Sequence, residues 1–587
     1  MTQSELQRRV LYLAACLAVA WAAIAMMWGG VVITWGPLRF ASRDPLRPFL
    51  VGLAAAAYYA WRVPRTAADA DGEWLAALFR RSARIAVPLL VVAALGIGIL
   101  YGSFAAGGSD SYGYVSQARL WLAGDLRIEQ PWVDQMSWPY REWTFAPLGY
   151  RPVRSTSTLV PTYPAGLPIL MAGFERLFGS NGPFLVVPLI GALAVWLTYA
   201  LGREASLHRS VGALAALLLV TSPVFLAHVM LPMTDVPVAA GWTLVCVLAL
   251  REPPRALAAG LAAGATLLVR PNLLPLILVP FAAWMWPCVR SRGQWRRAMR
   301  DAVFYSAGMI PGFVAIAAIN THLYGSPFVM GYGGLGDVFS PTVAPANLRN
   351  YGGWLMQSQT PLVALSLVPF VLRGSLRGGE SRASARAAFA GVLLLVLLSY
   401  VFYGPFDVWF YLRFLLPAFP VLFVLTAAGL RSIGTRLPAS VRAAIIGLVY
   451  LVCIAYCLKF AHDQGIFNQR AFERRYVEAG EYIANHTPAN AVIVCVQHSG
   501  SIRYYAKRIT LRYDWLPLHR LDPIIEELKM KGYRPYILLE EWEEPGFRTR
   551  FGPLNSAGRL DWQPMAEIAG SVRVRLYNPD DRAAALK

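Results

Sequence analysis

Long apolar runs, repeated along almost the whole chain, constrain the fold more than any other feature. Windows of about 20 residues identify about thirteen candidate membrane spans before residue 461. Backbone groups inside a bilayer find no water, so each span is expected to be an α-helix. The candidate spans cover residues 10–33, 48–63, 85–105, 183–202, 210–230, 236–250, 256–270, 272–289, 302–321, 361–373, 388–404, 413–430 and 443–460. The sequence therefore predicts an α-helical polytopic membrane protein.

Charge supports this class. Charged residues are only 15% of the 587 residues, against roughly 25% in ordinary soluble domains. Such a composition excludes a disordered chain, collagen and a small disulfide scaffold. The formal net charge of +20 would favour a nucleic-acid partner in a soluble protein. Here most arginines lie in short loops between apolar runs, so membrane topology accounts for them and no nucleic acid is predicted.

Basic loops alternate along the chain and predict its orientation. If the N-terminus is cytoplasmic, the positive-inside rule is satisfied by six arginine-rich loops, which then all lie inside. These loops are residues 62–84, 203–209, 251–255, 290–300, 373–386 and 431–442. Loop 37–47, with three arginines, is an exception. The sequence therefore predicts a multi-pass membrane protein with its N-terminus in the cytoplasm.

The same orientation places three segments outside: the loop 106–182 (the outer loop), the short loop 231–235, and the tail from about residue 461. Segment 162–179 is moderately apolar but contains Glu175 and Arg176. A further crossing there would invert every later loop. We therefore interpret it as a helix on, or dipping into, the outer surface.

The tail, residues 461–587, predicts a small extracytoplasmic α/β domain. Helical spacing over Glu473–Asn485 and Leu521–Lys531 alternates with β-branched or apolar runs at 491–496, 536–539 and 572–576. The loop His498–Ser501 could hold an anion, although a structural turn is the favoured interpretation. Together with an N-terminal transmembrane hairpin and cytoplasmic loop (1–84) and a larger membrane domain (85–460), the tail completes three predicted domains.

Two acidic residues stand at span ends on the predicted outer side, where carboxylates are scarce. Asp110 follows the third span, and Asp235 joins two spans. An ordinary explanation exists for each: an N-cap for the helix after Asp110, and a tight turn before Pro237. Their shared side of the membrane favours a functional pair.

A succession of short motifs surrounds these acids. They are Asp110-x-x-Gly113-Tyr114, Gly124-Asp125-Leu126, Thr162-Tyr163-Pro164, Thr234–Pro237, Arg270-Pro271-Asn272 and Tyr411–Pro417. Over roughly residues 85–430 this order resembles the GT-C superfamily of integral membrane glycosyltransferases. Within it the chain is similar to the protein O-mannosyltransferase and aminoarabinose transferase group, or bacterial family 39. Ser111 stands where mannosyltransferases have a second acid, and no lysine precedes Pro164.

The resemblance implies transfer of a sugar from a polyprenyl-phosphate donor to a lipid, glycan or protein acceptor on the extracytoplasmic face. It implies Asp110 as general base or acceptor-orienting residue and Asp235 as second acid, with a divalent cation (Mg or Mn) as a candidate cofactor held by both. The expected donor-phosphate ligands are Arg270, Arg413 and Arg154. The expected substrate-lining residues are Tyr112, Tyr114, Tyr163 and His228.

Ordinary alternatives stay open for these side chains. The arginines at helix ends could reach lipid headgroups, the tyrosines could be interfacial aromatics, and His228 could simply pack. For the whole protein, the alternatives are a lipid-linked glycan transporter or flippase and a non-catalytic scaffold. A transporter would need polar residues along several spans, and the mid-span stretches are Leu, Val and Ala.

Overall fold

The structure is a computed structural model that describes residues 3–36, 38–153, 156–206, 208–288, 294–333, 339–372, 375–376 and 379–585. Helices dominate it. Up to residue 463 they are α1 Gln3–Trp28, α2 Leu46–Arg62, α3 Arg65–Leu100, α4 Asp110–Ala123, α5 Arg141–Thr144, α6 Gly166–Phe178, α7 Gly182–Ser206, α8 Arg209–Thr221, α9 Pro223–Val229, α10 Asp235–Leu250, α11 Ala256–Val269, α12 Leu278–Cys288, α13 Trp295–Tyr324, α14 Ala344–Gln359, α15 Val368–Val371, α16 Gly379–Val401, α17 Phe419–Gly434 and α18 Ala439–Asp463. Longer 3-10 stretches, Pro271–Ile277, Pro361–Leu367 and Trp409–Ala418, lead into α12, α15 and α17.

Each of the thirteen predicted spans has a helical counterpart. By length and composition, eight helices in the described residues can cross a membrane, and a ninth results if α8 and α9, bent by 65°, form one span. The remaining predicted spans correspond to shorter helices: α2, α10, α11 and Pro361–Val371. The protein is therefore a multi-pass membrane protein.

Small residues allow two of these helices to approach closely. Gly260 and Gly264 of α11 face Gly308 and Gly312 of α13, each pair spaced four residues apart. A Cβ atom added at Gly312 would lie 2.5 Å from the Cα of Gly264. Small residues at this spacing are a common helix–helix interface in membranes, because they bring the two backbones into van der Waals contact.

The N-terminal helices α1 and α2 are connected to α3 by hydrogen bonds to a buried acid. The strands β1 Val31–Trp35 and β2 Leu38–Ser42 pair antiparallel between α1 and α2. Asp71 of α3, which is fully buried, accepts hydrogen bonds from Arg8 at 2.6 Å and from the Tyr59 hydroxyl at 2.7 Å. These bonds connect α1 and α2 to α3.

The outer loop contains α4, α5, α6 and the short antiparallel pair β3 Tyr150–Pro152 and β4 Leu159–Pro161. The helix that the sequence predicts within 162–179 is α6. It packs against α4 and α7 and is followed by the 3-10 turn Gly179–Asn181. The N-terminus of α4 carries Asp110, so this packing holds the first predicted acid beside the membrane helices.

The tail folds as a C-terminal α/β domain with a five-stranded sheet in the order β6-β5-β7-β9-β8. Its strands are β5 Ala491–Val494, β6 Ile509–Leu511, β7 Arg534–Glu540, β8 Ala566–Ile568 and β9 Val574–Tyr577; its helices are α19 Gln469–His486, α20 Leu521–Met530, α21 Glu544–Phe551 and α22 Pro579–Ala585. Strand β5 pairs parallel with β6 and β7, whereas β9 pairs antiparallel with β7 and β8. The predicted α/β class and three strands are confirmed, and the three-residue strands β6 and β8 were not foreseen.

The C-terminal domain and the outer loop share one hydrophobic core. Val133, Met136, Trp138 and Phe145 of the outer loop are buried against the sheet and helices of the domain. The backbone N–H of Arg512 donates to the Thr144 carbonyl at 2.6 Å. Burying large apolar side chains between them stabilises the pair, at roughly 1.5–3 kcal/mol for each such side chain. The domain therefore packs against the loop that carries Asp110.

Candidate active site

Asp110 is the first residue of α4, and its carboxylate does not cap that helix. Its Oδ1 accepts a hydrogen bond from the Tyr163 hydroxyl at 2.6 Å, and its Oδ2 accepts one from Arg413 Nη2 at 3.0 Å. The N-cap position, Ser109, makes no side-chain capping bond either, and its hydroxyl lies 2.7 Å from that of Tyr163. The capping explanation for Asp110 is therefore wrong, because its carboxylate accepts hydrogen bonds from Tyr163 and Arg413 and none from the backbone of α4.

Asp235 is the first residue of α10 and is fully buried. Its Oδ1 accepts a hydrogen bond from Arg270 Nη2 at 3.0 Å, and its Oδ2 lies 3.8 Å from Arg413 Nη1. A buried carboxylate is stable only when it is paired, and two guanidinium groups provide that pairing. Its place at a helix N-terminus is also favourable for a negative charge.

The two arginines come from irregular backbone at helix ends. Arg270 follows the last residue of α11, where Pro271 ends the helix, and Arg413 lies in the 3-10 stretch Trp409–Ala418. Their side chains are only 15% and 12% exposed. Both point at carboxylates, which is inconsistent with arginines that reach outward to lipid headgroups.

Asp110, Arg413, Asp235 and Arg270 thus form a continuous chain of alternating charge, which we call the site cluster. Its formal charge is zero. Arg413 lies between the two acids, and the rings of Phe410, Tyr411 and Phe414 surround its guanidinium at 5.3 to 5.7 Å. The four residues are spread over about 300 positions of the sequence and are brought together only by the packing of the helices.

Polar neighbours that the sequence did not single out complete the surroundings of Arg270. Its Nη2 donates to the Thr234 hydroxyl at 2.5 Å, and its Nη1 donates to the Tyr400 hydroxyl at 3.4 Å. Thr234 directly precedes Asp235 and could have been included on that ground. Tyr400 has no such signal, because it looks like any other aromatic residue near a span end.

Two of the predicted tyrosines belong to the site and one does not. The rings of Tyr114 and Tyr163 lie 4.7 Å apart, and Tyr332 approaches Tyr163 at 5.8 Å. Burial and the nearby negative charge of Asp110 raise the pKa of Tyr163 well above its usual value. Its hydroxyl therefore stays protonated and donates to Asp110.

Tyr112 is the exception. Residues two apart on a helix point in nearly opposite directions, so Tyr112 and Tyr114 cannot both face the site cluster. The ring of Tyr112 packs on Tyr150 and against Gly500 of the C-terminal domain. The prediction that Tyr112 lines the substrate site is therefore not supported by its position.

The other predicted site residues are His228 and Arg154. His228 is buried, its Nδ1 lies 2.7 Å from the Val224 carbonyl, and its ring packs on Phe410 at 4.4 Å. Its Nε2 has no hydrogen-bond partner among the described residues. Arg154 lies outside the described residues. Arg151, nearby in sequence, donates to the Gly331 carbonyl at 3.1 Å.

The arrangement is a poor fit for the divalent cation expected from the family resemblance. Mg and Mn sites are built from several oxygen ligands, usually carboxylates. Each carboxylate of the site cluster instead faces guanidinium groups, and no group of three or more His, Cys, Asp or Glu residues within the described ranges could hold a metal. Arg270 and Arg413 already neutralise the two carboxylates.

Known proteins share this fold. A family profile described as dolichyl-phosphate-mannose-protein mannosyltransferase matches residues 163–321, about a quarter of the chain. No curated protein sequence matches this chain. The structure of ArnT from Cupriavidus metallidurans bound to undecaprenyl phosphate superposes with a TM-score of 0.51 at 13% identity, over 84% of this chain and 97% of that one.

A second structure is the archaeal oligosaccharyltransferase AglB from Archaeoglobus fulgidus, in complex with an inhibitory peptide and a dolichol-phosphate. It superposes with a TM-score of 0.50 at 14% identity, over 79% of this chain and 70% of that one. Both are GT-C superfamily glycosyltransferases. This chain therefore shares the fold of ArnT and AglB, and the fold that the resemblance in its sequence implied is confirmed.

Proposed function

We propose that this protein is a membrane glycosyltransferase that moves a sugar from a polyprenyl-phosphate donor to an acceptor on the extracytoplasmic face of a bacterial cytoplasmic membrane. The observation that carries the proposal is the site cluster, in which buried arginines and carboxylates alternate at the helix ends. Support comes from the GT-C fold and from ArnT and AglB, whose structures contain undecaprenyl phosphate and a dolichol-phosphate.

Arg413 and Arg270 are the donor-phosphate ligands in this proposal. Guanidinium groups bind phosphate oxygens through two parallel hydrogen bonds, and they remain charged when buried. Asp235 is fully enclosed, so its role is to hold both guanidiniums in place rather than to contact the acceptor. The donor phosphate would compete with Asp110 for Arg413 Nη2, which loosens the carboxylate when the donor binds.

Asp110 is the proposed general base. Its side chain is 29% exposed, the highest value among the four residues of the site cluster. The carboxylate takes the proton of an acceptor hydroxyl or amine while the acceptor attacks C1 of the sugar. The bond from C1 to the phosphate oxygen breaks, its electron pair stays on that oxygen, and the arginines stabilise the added charge. Tyr163 holds the other oxygen of Asp110 in position.

The proposed orientation follows from the basic loops. The site cluster lies at the helix ends that adjoin the outer loop, loop 231–235 and the C-terminal domain. The arginine-rich loops are predicted on the opposite, cytoplasmic side. The acceptor is a lipid, a glycan or a protein, and the sugar is a hexose or a pentose.

The test is transfer from radiolabelled polyprenyl-phosphate sugars by the purified full chain in detergent. We expect label to leave the carrier with the wild type and with Asp125→Asn, a change to an exposed acid of the same loop, but not with Asp110→Asn. We expect EDTA to change the rate by less than about twofold, because the arginines replace the metal. Donors that bind without turnover in the wild type would contradict the proposal and favour a transporter or scaffold.

A further inference from the structure

The segment that leads into Asp110 has no regular structure, although most of it is buried. Helix α3 ends at Leu100, and residues 102–107 are neither helix nor strand. Phe104 has a φ of 46° and Gly108 a φ of 56°. A left-handed backbone is costly for a phenylalanine, and a buried irregular segment must find hydrogen-bond partners elsewhere. This segment, residues 101–109, is called the lead-in segment.

The C-terminal domain provides those partners. Arg470 of α19 donates to the Gly102 carbonyl at 3.0 Å and to the Ile99 carbonyl at 3.2 Å. The same guanidinium lies 5.0 Å from the centre of the Phe104 ring. The backbone N–H of Ala106 donates to the Tyr505 hydroxyl at 2.8 Å. Two residues of the domain therefore hold the backbone of the lead-in segment on both sides of its strained position.

A third contact fixes the glycines next to Asp110. The ring of Tyr476 lies so close to Gly107 that an added Cβ would be 2.0 Å from its Cδ2 atom. The Tyr476 hydroxyl accepts hydrogen bonds from Gln497 at 2.7 Å and from Arg475 at 3.0 Å. The position of this ring is therefore determined within the C-terminal domain.

Behind Tyr476 is a buried group that we call the support cluster: Arg475, Tyr476, Gln497, His498 and Glu540. Arg475 donates to Glu540 at 2.8 Å, and His498 Nε2 lies 3.0 Å from the same carboxylate. Burial alone would raise the pKa of Glu540, but His498 and Arg475 outweigh it and lower that pKa to about 2. The cluster lies where β5 and β7 end, a location that α/β domains commonly use for ligands. Here it faces the lead-in segment.

We propose that Arg470, Tyr476 and Tyr505 are positioning residues, through which the C-terminal domain holds the carboxylate of Asp110 within reach of Arg413 and the acceptor. The inference rests on the proposed function, because it assigns these residues to the same transfer reaction. They touch neither donor nor acceptor. Misplacing a catalytic group by about 1 Å lowers a rate by up to roughly 100-fold, so their removal acts on turnover.

The first experiment measures transfer by the full chain carrying Tyr505→Phe, Arg470→Ala or Arg470→Lys. We expect kcat to fall roughly tenfold for Tyr505→Phe and for Arg470→Ala, with the donor KM within twofold of wild type. Arg470→Lys should recover part of the loss, because it keeps the charge and one donor. The control is Tyr482→Phe. Tyr482 lies on the same helix as Tyr476, but its ring stacks on His486.

The second experiment does not depend on turnover. Hydrogen exchange of the full chain in detergent should show faster exchange at Ala106 and its neighbours in Tyr505→Phe, by about tenfold, with the core strand Ala491–Val494 unchanged. Wild-type exchange at Ala106 together with wild-type kcat would overturn the inference. So would loss of protection throughout the C-terminal domain, since that would indicate a purely structural role. If no donor is turned over by wild type, the proposed function fails and the exchange result decides this inference alone.

Discussion

The chain contains two clusters of charge that differ in how completely the buried carboxylate of each is hydrogen-bonded. In the site cluster, Asp235 Oδ2 and Arg413 Nε are buried and have no hydrogen-bond partner among the described residues. In the support cluster, both oxygens of Glu540 are occupied, one by Arg475 and His498 and the other by Trp542 at 2.5 Å. The site cluster therefore leaves a guanidinium nitrogen, Arg413 Nε, for a phosphate to bind, whereas the carboxylate of the support cluster is fully used in holding its neighbours.

Unsatisfied polar groups are costly in a buried site, and they persist where a substrate supplies the missing partner. A buried carboxylate whose two oxygens are both bonded instead holds the groups around it in place. The comparison therefore separates a region that acts on substrate from one that keeps that region in place. Asp235 and Glu540 are a matched pair for testing this separation, since each is a buried carboxylate that accepts a hydrogen bond from an arginine.

The largest effect is expected for Asp235→Asn. The change keeps the shape but leaves Arg270 and Arg413 without their buried counter-charge. We expect transfer to fall by at least roughly 100-fold, as for the loss of other preorganised charges, and donor binding to weaken. Thermal unfolding in detergent should also shift, because breaking a buried pair costs about 3–5 kcal/mol. Transfer within tenfold of wild type would remove the distinction between the clusters.

For Glu540→Gln we expect a large loss of stability and only a small loss of transfer. Arg475 loses its buried carboxylate, and we expect the free energy of unfolding of the C-terminal domain to fall by about 3 kcal/mol. At temperatures where the variant is folded, transfer should stay within about tenfold of wild type, since Glu540 acts only through Tyr476. Thermal melting followed by circular dichroism, with kcat measured below the transition, checks both parts. A complete loss of transfer by a folded variant would contradict the assignment.

A smaller effect is expected for Arg413→Lys. An ammonium group keeps the charge but has one nitrogen, so it cannot place separate nitrogens at Asp110 and Asp235 as Arg413 does. We expect the donor KM to rise roughly tenfold, which corresponds to about 1.4 kcal/mol, with a lesser fall in kcat. Arg349→Lys, a change to an exposed arginine of α14, is the control. An unchanged KM would show that Arg413 does not bind the donor.

The smallest effect concerns acid stability. The pKa of Glu540 is lowered in the folded protein from its usual value near 4.5 to about 2. Its stabilising contribution is therefore fully present above about pH 4.5 and is lost as the pH falls toward 2. The difference in melting temperature between wild type and Glu540→Gln should be constant from pH 7 to 5 and shrink below pH 4.5. A difference that grows with acid would contradict this sign.

Much of the site could be predicted because carboxylates are scarce at span ends and because most arginines are predicted on the opposite, cytoplasmic side. Asp110, Asp235, Arg270 and Arg413 stand out for that reason, and the structure brings all four together. Tyr112 and Tyr400 could not be sorted in this way. An aromatic residue near a span end has many ordinary roles, and only the packing of its helix shows which way it points.

The sequence alone determined the helical membrane segments and the alternating strands and helices of the tail. Bilayer and core both require backbone groups to be bonded locally or to a neighbouring strand, so the apolar pattern is enough to reveal them. Only the tertiary structure decided that Arg413 lies between acids far away in sequence, and that the C-terminal domain forms hydrogen bonds with the lead-in segment. Such pairings depend on how helices and domains pack, which no local periodicity encodes.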